Sequence, residues 1–149
     1  MVSKTLFSSN TDVWATPQDL FDKLNSEFNF SLDPCALPSN AKCSKYFTPD
    51  DDGLKQDWAP HTVFCNPPYG KEISLWVKKC WQESLKGATV VALIPARTDT
   101  AYFHDFVLGK AEIRFIRGRL KFGGAKNSAP FPSMLAVYHA TKNEQKINI

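Results

Sequence analysis

The residues best suited to chemistry stand together at Asn66-Pro67-Pro68-Tyr69, directly after the apolar run Thr62-Val-Phe-Cys65 and ahead of a helical stretch. An asparagine side chain offers an oxygen that accepts hydrogen bonds and a nitrogen that donates them. Beside it, the proline-stiffened backbone holds the Pro67 carbonyl rigid. Two such oxygens, aimed at the two N–H bonds of one amino group, would draw its nitrogen toward tetrahedral geometry. This requires the Asn66 amide to turn its oxygen inward. Neither acceptor has to be a strong base, because the proton becomes acidic only as the nitrogen gains a new bond. Tyr69 adds a flat face on which a planar ring could stack. Without chemistry, the same tetrapeptide would be a stiff turn carrying a packed tyrosine.

The elements around the motif follow from periodicity and turn signals. Thr16 is expected as a helix N-cap, with Pro17 at the first helical position and Asp19 at the third. Leu20, Phe21, Leu24 and Phe28 follow at helical spacing and predict a helix over 17–27. Residues 30–33 read as a short strand broken by Pro34, and residues 45–48 as another. Residues 62–65 form a strand, and 71–86 a helix with Ile73, Trp76, Val77, Cys80, Trp81 and Leu85 on one face and Gly87 as its stop. The run Thr89–Pro95 has the continuous apolar character of a central strand. A helix is expected over 99–108, and strands near 112–116, 118–122 and 134–139. This alternation predicts an α/β fold, mostly parallel with an antiparallel edge. In such sheets ligands bind beyond the carboxyl ends of the strands, where Asn66–Tyr69 lies.

The chain has 149 residues, the size of one domain. Residues 1–10 are polar and expected to be a mobile N-terminus, with 11–149 a single domain. No apolar run has membrane-spanning length and the start lacks a signal-peptide centre, so a cytoplasmic protein is expected, without a membrane role. Cys35, Cys43, Cys65 and Cys80 form no C-x-x-C pair, so reduced, mostly buried thiols and no metal site are expected. Charge is unevenly spread. Residues 11–57 carry four basic and nine acidic side chains, whereas 110–149 carry eight basic and two acidic. An acidic half suits a cationic small molecule and a basic half suits phosphates; a solvated surface would also account for each group singly.

Read in order, several stretches carry a family resemblance: Trp14-Ala-Thr-Pro17, Leu32-Asp-Pro-Cys-Ala36, Asp52-Gly-Leu with Asp57-Trp58, Asn66–Gly70, Leu93–Arg97, Gly118–Phe122 and Ala129–Ser133. The chain resembles the phage-type DNA N6-adenine methyltransferases. The resemblance implies a shortened, Rossmann-like S-adenosylmethionine-dependent methyltransferase fold, with Asn66, Pro67, Pro68 and Tyr69 catalytic. The substrate would be an adenine flipped out of DNA, since the base is unreachable inside a duplex. It also implies S-adenosylmethionine as cofactor. Asp33 would face the positive methionine end, with Pro34 in the same turn and Cys35 and Ala36 small enough to let the donor lie close. Trp14, Thr16 and Pro17 would border the donor, Thr16 and its helix N-terminus receiving the carboxylate. One of the loop aspartates, Asp50 foremost, would meet the ribose, and Asp57 the donor's adenine with Trp58 packing nearby. Phe131 would close the second face of the target base, with Phe122 as the fallback. The glycine-rich loop common in donor-binding folds is absent, and Asp33–Ala36 stands in its place.

Arg97, Arg119 and Lys121 are expected to contact DNA, the two arginines on phosphates. Two rival readings stand beside this one. The same tetrapeptide serves methyltransferases of RNA bases or of a protein amide. Alternatively, the chain is a DNA-binding module without catalysis, which would leave an amine-polarising corner without a use. A homodimer is left open by the sequence, as is the origin of the chain; a phage-encoded protein would work in the host cytoplasm.

Overall fold

The computed structural model describes residues 14–123 and 126–141. The expected mobile N-terminus lies outside them. The helix α1 runs Gln18–Phe28 and buries Phe21 and Leu24. It begins one residue later than the expected 17–27. Pro17 is its cap residue and no side chain caps it, so Thr16 is not the N-cap. The helix stops because Asn29 takes a left-handed backbone (φ 59°) and returns its N–H to Asn25. The strand β1 (Thr62–Cys65) leads into the Asn66 corner, and α2 (Ile73–Leu85) follows. Then come β2 (Thr89–Pro95), α3 (Ala101–Phe106), β3 (Glu112–Phe115) and β4 (Ser133–Tyr138).

The sheet order is β1-β2-β4-β3. β1 pairs parallel with β2, while β4 runs antiparallel to both β2 and β3. The sheet is therefore mixed rather than mostly parallel. The cause is β4, which enters between β2 and β3 in the opposite direction and so puts the antiparallel strand in the interior of the sheet rather than at its edge. The parallel side continues past β1 only as bridges, Leu32 to Val63 and Asp33 to Tyr46. The expected strands at 30–33 and 45–48 shrink to these bridges because Pro34, without an N–H, cannot extend the ladder. The expected strand 118–122 does not form. Gly118 has φ 75°, and the segment bonds out of plane, Gly123 N–H to the Ala15 carbonyl at 2.8 Å.

Helices cover both faces of the sheet. On one, Phe21 of α1 meets Phe64 of β1 edge-on at 5.3 Å. On that side Arg114 of β3 grips Glu27 of α1 with two bonds of 2.8 Å. On the other, Tyr138 of β4 donates to the Phe106 carbonyl of α3 at 2.6 Å. Thr100 caps α3 by accepting from Phe103, which makes this helix shorter than the expected 99–108. The inward face of α2 also differs from expectation: Leu85 is exposed, whereas Glu83 and Ser84 are buried. Glu83 lies three residues beyond Cys80 and seven beyond Trp76, so helical geometry turns it inward.

Candidate active site

Asn66 sits where β1 ends. Its side-chain nitrogen donates to the Trp14 carbonyl and, at 2.9 Å, to the Thr16 hydroxyl oxygen. A carbonyl only accepts, so the amide nitrogen must face Trp14 and the oxygen must face away. That oxygen, Oδ1, is buried without a partner among the described residues. The Pro67 carbonyl likewise takes no hydrogen bond from them. The corner thus carries two vacant acceptors, one of them held by an amide whose orientation is decided by its neighbours.

A cavity of about 30 Å³ lies against this corner, with Trp14, Thr16, Asp33, Asn40, Lys42 and Asn66 on its walls. Asp33 is 5% exposed. Its carboxylate accepts from the backbone N–H of Lys42 at 3.0 Å and of Cys35 at 3.4 Å. No cationic side chain among the described residues forms an ion pair with it. Burial pushes its pKa above the usual carboxylate value, and the two backbone bonds offset that only in part. The Lys42 ammonium turns instead to Gln18 at the start of α1, 2.7 Å away. Asn40 and Lys42 escaped the sequence reading, because they lie in an irregular segment where spacing carries no signal.

Cys35 donates its thiol to the Asn66 carbonyl at 3.2 Å and lies 3.8 Å from the Cys65 sulfur. It ties the Asp33 turn to the Asn66 corner. All four cysteines are free thiols, and burial pushes Cys35 and Cys65 up. Ala36 and Pro34 are buried behind the turn. The backbone there approaches Gly53 so closely that a Cβ would meet the Pro34 carbonyl at 2.1 Å.

Tyr69 is buried and donates its hydroxyl to the Leu93 carbonyl at 3.1 Å. Its ring meets Phe131 at 5.6 Å and 76° and Phe122 at 6.4 Å and 81°. Trp14 touches the same two phenylalanines, at 5.2 and 5.4 Å. A planar base between two parallel rings needs roughly 7 Å, about 3.5 Å per contact. The structure therefore brings Tyr69, Phe122 and Phe131 together as a closed cluster, with no slot between them.

Other candidates lie elsewhere. Asp50 and Asp57 are exposed and do not line the cavity. Trp58 is fully buried, donates to the Gly53 carbonyl at 2.9 Å and stacks near Trp76. It is a core residue and does not line the cavity. Arg97 is exposed and lies over the Phe131 ring at 5.6 Å, at the rim of the aromatic cluster. Arg119 and Lys121 line a different, wider depression of about 310 Å³ beside Pro17, Asp19 and Lys23. Among the described residues there is no group of three or more His, Cys, Asp or Glu side chains placed to hold a metal, and no helix long and apolar enough to cross a membrane.

A family model described as DNA N-6-adenine-methyltransferase (Dam) matches residues 3–148. A protein of Haemophilus phage HP1 named DNA N-6-adenine-methyltransferase is 32% identical over 93% of this chain and 84% of its own length. One of Escherichia phage T1 with the same name is 30% identical over 73% of this chain and 46% of its own. A family match that spans nearly every residue, the corner and the Asp33 turn included, leads to one conclusion: the chain belongs to the DNA N-6-adenine-methyltransferase (Dam) family.

Proposed function

We infer that this chain, an adenine-specific DNA methyltransferase, uses S-adenosylmethionine to methylate N6 of an adenine flipped out of DNA. The vacant, oriented Asn66 Oδ1 carries the reading. We read the fold as a shortened Rossmann-like methyltransferase domain over residues 11–149.

The residues fit the donor's chemistry. Asp33 is a buried carboxylate on a cavity wall and forms no ion pair among the described residues, since the Lys42 ammonium on the same wall bonds to Gln18, and the donor has a cationic end. The cavity suits only that end; about 30 Å³ is far below the several hundred of a full ligand pocket. When bound, the donor supplies a methyl group on a positively charged sulfur. Asp33 holds the positive end. Thr16 accepts from Asn66, which leaves its own hydroxyl proton for the donor's carboxylate. Lys42 and the start of α1 stand near enough to assist. Trp14, Pro17, Cys35 and Ala36 shape that wall, and Pro34 fixes its turn.

At the base, Asn66 Oδ1 and the Pro67 carbonyl accept the two N–H bonds of N6. They localise its lone pair toward the methyl carbon. The donor would supply the methyl group to N6, its sulfur keeping the electron pair of the bond given up, while these two oxygens hold the amine in line. The nitrogen then sheds a proton to solvent. Pro68 stiffens the corner. Tyr69 takes one face of the base, and Phe131 swings away to take the other. Arg97 at the rim and Arg119 with Lys121 in the basic depression meet phosphates.

The test is digestion of treated DNA to nucleosides followed by mass spectrometry, with RNA and protein as parallel substrates. N6-methyladenine from DNA is expected. Methyl transfer only to RNA or protein would overturn the reading. Asn66→Ala and Tyr69→Ala should each lose at least a hundredfold in kcat while keeping the fold.

A further inference from the structure

Thr16 and the main chain of Trp14 are the two hydrogen-bond partners of the Asn66 amide. An isolated asparagine amide turns over at little cost, and its two orientations have opposite chemistry: oxygen inward accepts from an amine, nitrogen inward repels it. Here both partners sit on the same side. The Trp14 carbonyl is an obligate acceptor, so only the N–H side of the amide can face it. Thr16 is 5% exposed and cannot exchange this contact for bulk water. The flipped amide would set oxygen against carbonyl oxygen in a dry site, while the present orientation leaves Oδ1 vacant and buried.

We propose that Thr16 and the Trp14 carbonyl form a clamp that positions Asn66, committing its oxygen to the target amine and making the position specific for asparagine over aspartate. Thr16 is thus a positioning residue in addition to any donor contact. Aspartate would offer two acceptors, the better hydrogen-bonding choice for an amine in isolation. In this clamp, however, one of its oxygens meets the Trp14 carbonyl with no proton between them. The carboxylate must then rotate out or take up a proton, and either change withdraws the oriented oxygen. The inference rests on the reading of Asn66 as catalytic.

The experiment is kcat at saturating donor, where a weakened donor contact does not count, for wild type, Thr16→Val, Thr16→Ser and Asn66→Asp, with folding checked by thermal unfolding. Thr16→Val is isosteric without the hydroxyl and is expected to lower kcat about tenfold to a hundredfold, the scale of a misplaced catalytic group. Thr16→Ser restores kcat to within about threefold. Asn66→Asp loses at least a hundredfold. Wild-type kcat in Thr16→Val, with only a raised KM for donor, would overturn the clamp, as would an Asn66→Asp enzyme as active as wild type. If Thr16→Val does not fold, the Asn66→Asp and Thr16→Ser results decide. Wild type without N6-methyladenine product sinks the catalytic reading itself, and the clamp with it.

Discussion

Two carboxylates are buried among the described residues, and they live in opposite circumstances. Glu83, on the inward face of α2, accepts from the Trp58 backbone N–H at 2.7 Å and pairs with Lys79 at 3.0 Å and Lys86 at 3.2 Å. Burial raises its pKa, but the Trp58 bond and the two lysines outweigh this and the net direction is down. Asp33 also accepts from two backbone N–H groups but is ion-paired to no lysine; the Lys42 charge lowers its pKa least, burial dominates, and its net direction is up. Both lie in the interior; the difference is a cation in contact. Glu83 is complete and locks the Trp58 segment to α2. Asp33 is without a paired cation, and in the function proposed above a sulfonium donor would bring that charge.

Breaking each carboxylate should therefore give different losses. Glu83→Ala strips a buried ion pair, leaves Lys79 and the Trp58 N–H unpartnered, and is expected to cost about 3–5 kcal/mol of stability by urea unfolding. Donor affinity of the protein that remains folded should not change. Asp33→Ala is expected to weaken donor binding by about 2–4 kcal/mol in calorimetry, thirtyfold or more, with little loss of stability. A loss of stability without a loss of donor binding would erase the distinction.

Titration sharpens the same contrast. Glu83 has a lowered folded-state pKa, so its contribution is present above the unfolded carboxylate value and disappears as pH falls through the folded one. Asp33 has a raised pKa, so its contribution is greatest below its unfolded value and is lost as pH rises through the folded one. Without donor, ionised Asp33 is a cost at neutral pH. Donor affinity should accordingly fall as pH drops through the raised Asp33 pKa, and Asp33→Asn should abolish that step in a pH series of dissociation constants. The smallest effect belongs to a pair that is neither buried nor incomplete. Arg114 joins Glu27 on the surface, and Arg114→Ala is expected to cost about 1 kcal/mol or less, reduced further by salt.

Position along the chain foretold much of the frame. β1, α2 and β2 stand where the apolar runs and Gly87 put them, because local periodicity and a backbone that needs positive φ are properties of short segments. The Asn66–Tyr69 corner was legible for the same reason. The rest depends on pairs far apart in sequence. β4 takes its place between β2 and β3 by pairing antiparallel with both, and β2 lies too far back along the chain for a short window of sequence to contain the pair. Trp58 beside Asp57 looks like a ligand contact until Glu83, on another element, is seen to hold it in the core.

What the sequence determined by itself was the chemistry on offer: an amide and a stiffened carbonyl at a strand end, a carboxylate in a proline turn, and aromatics to receive a ring. Only the tertiary structure decided how that chemistry is aimed. The rotation of the Asn66 amide is fixed by Trp14 and Thr16, some fifty residues away, and the upward shift of the Asp33 pKa by the burial around it. Residue type is a covalent fact of the chain, whereas orientation and desolvation exist only once distant segments share a boundary.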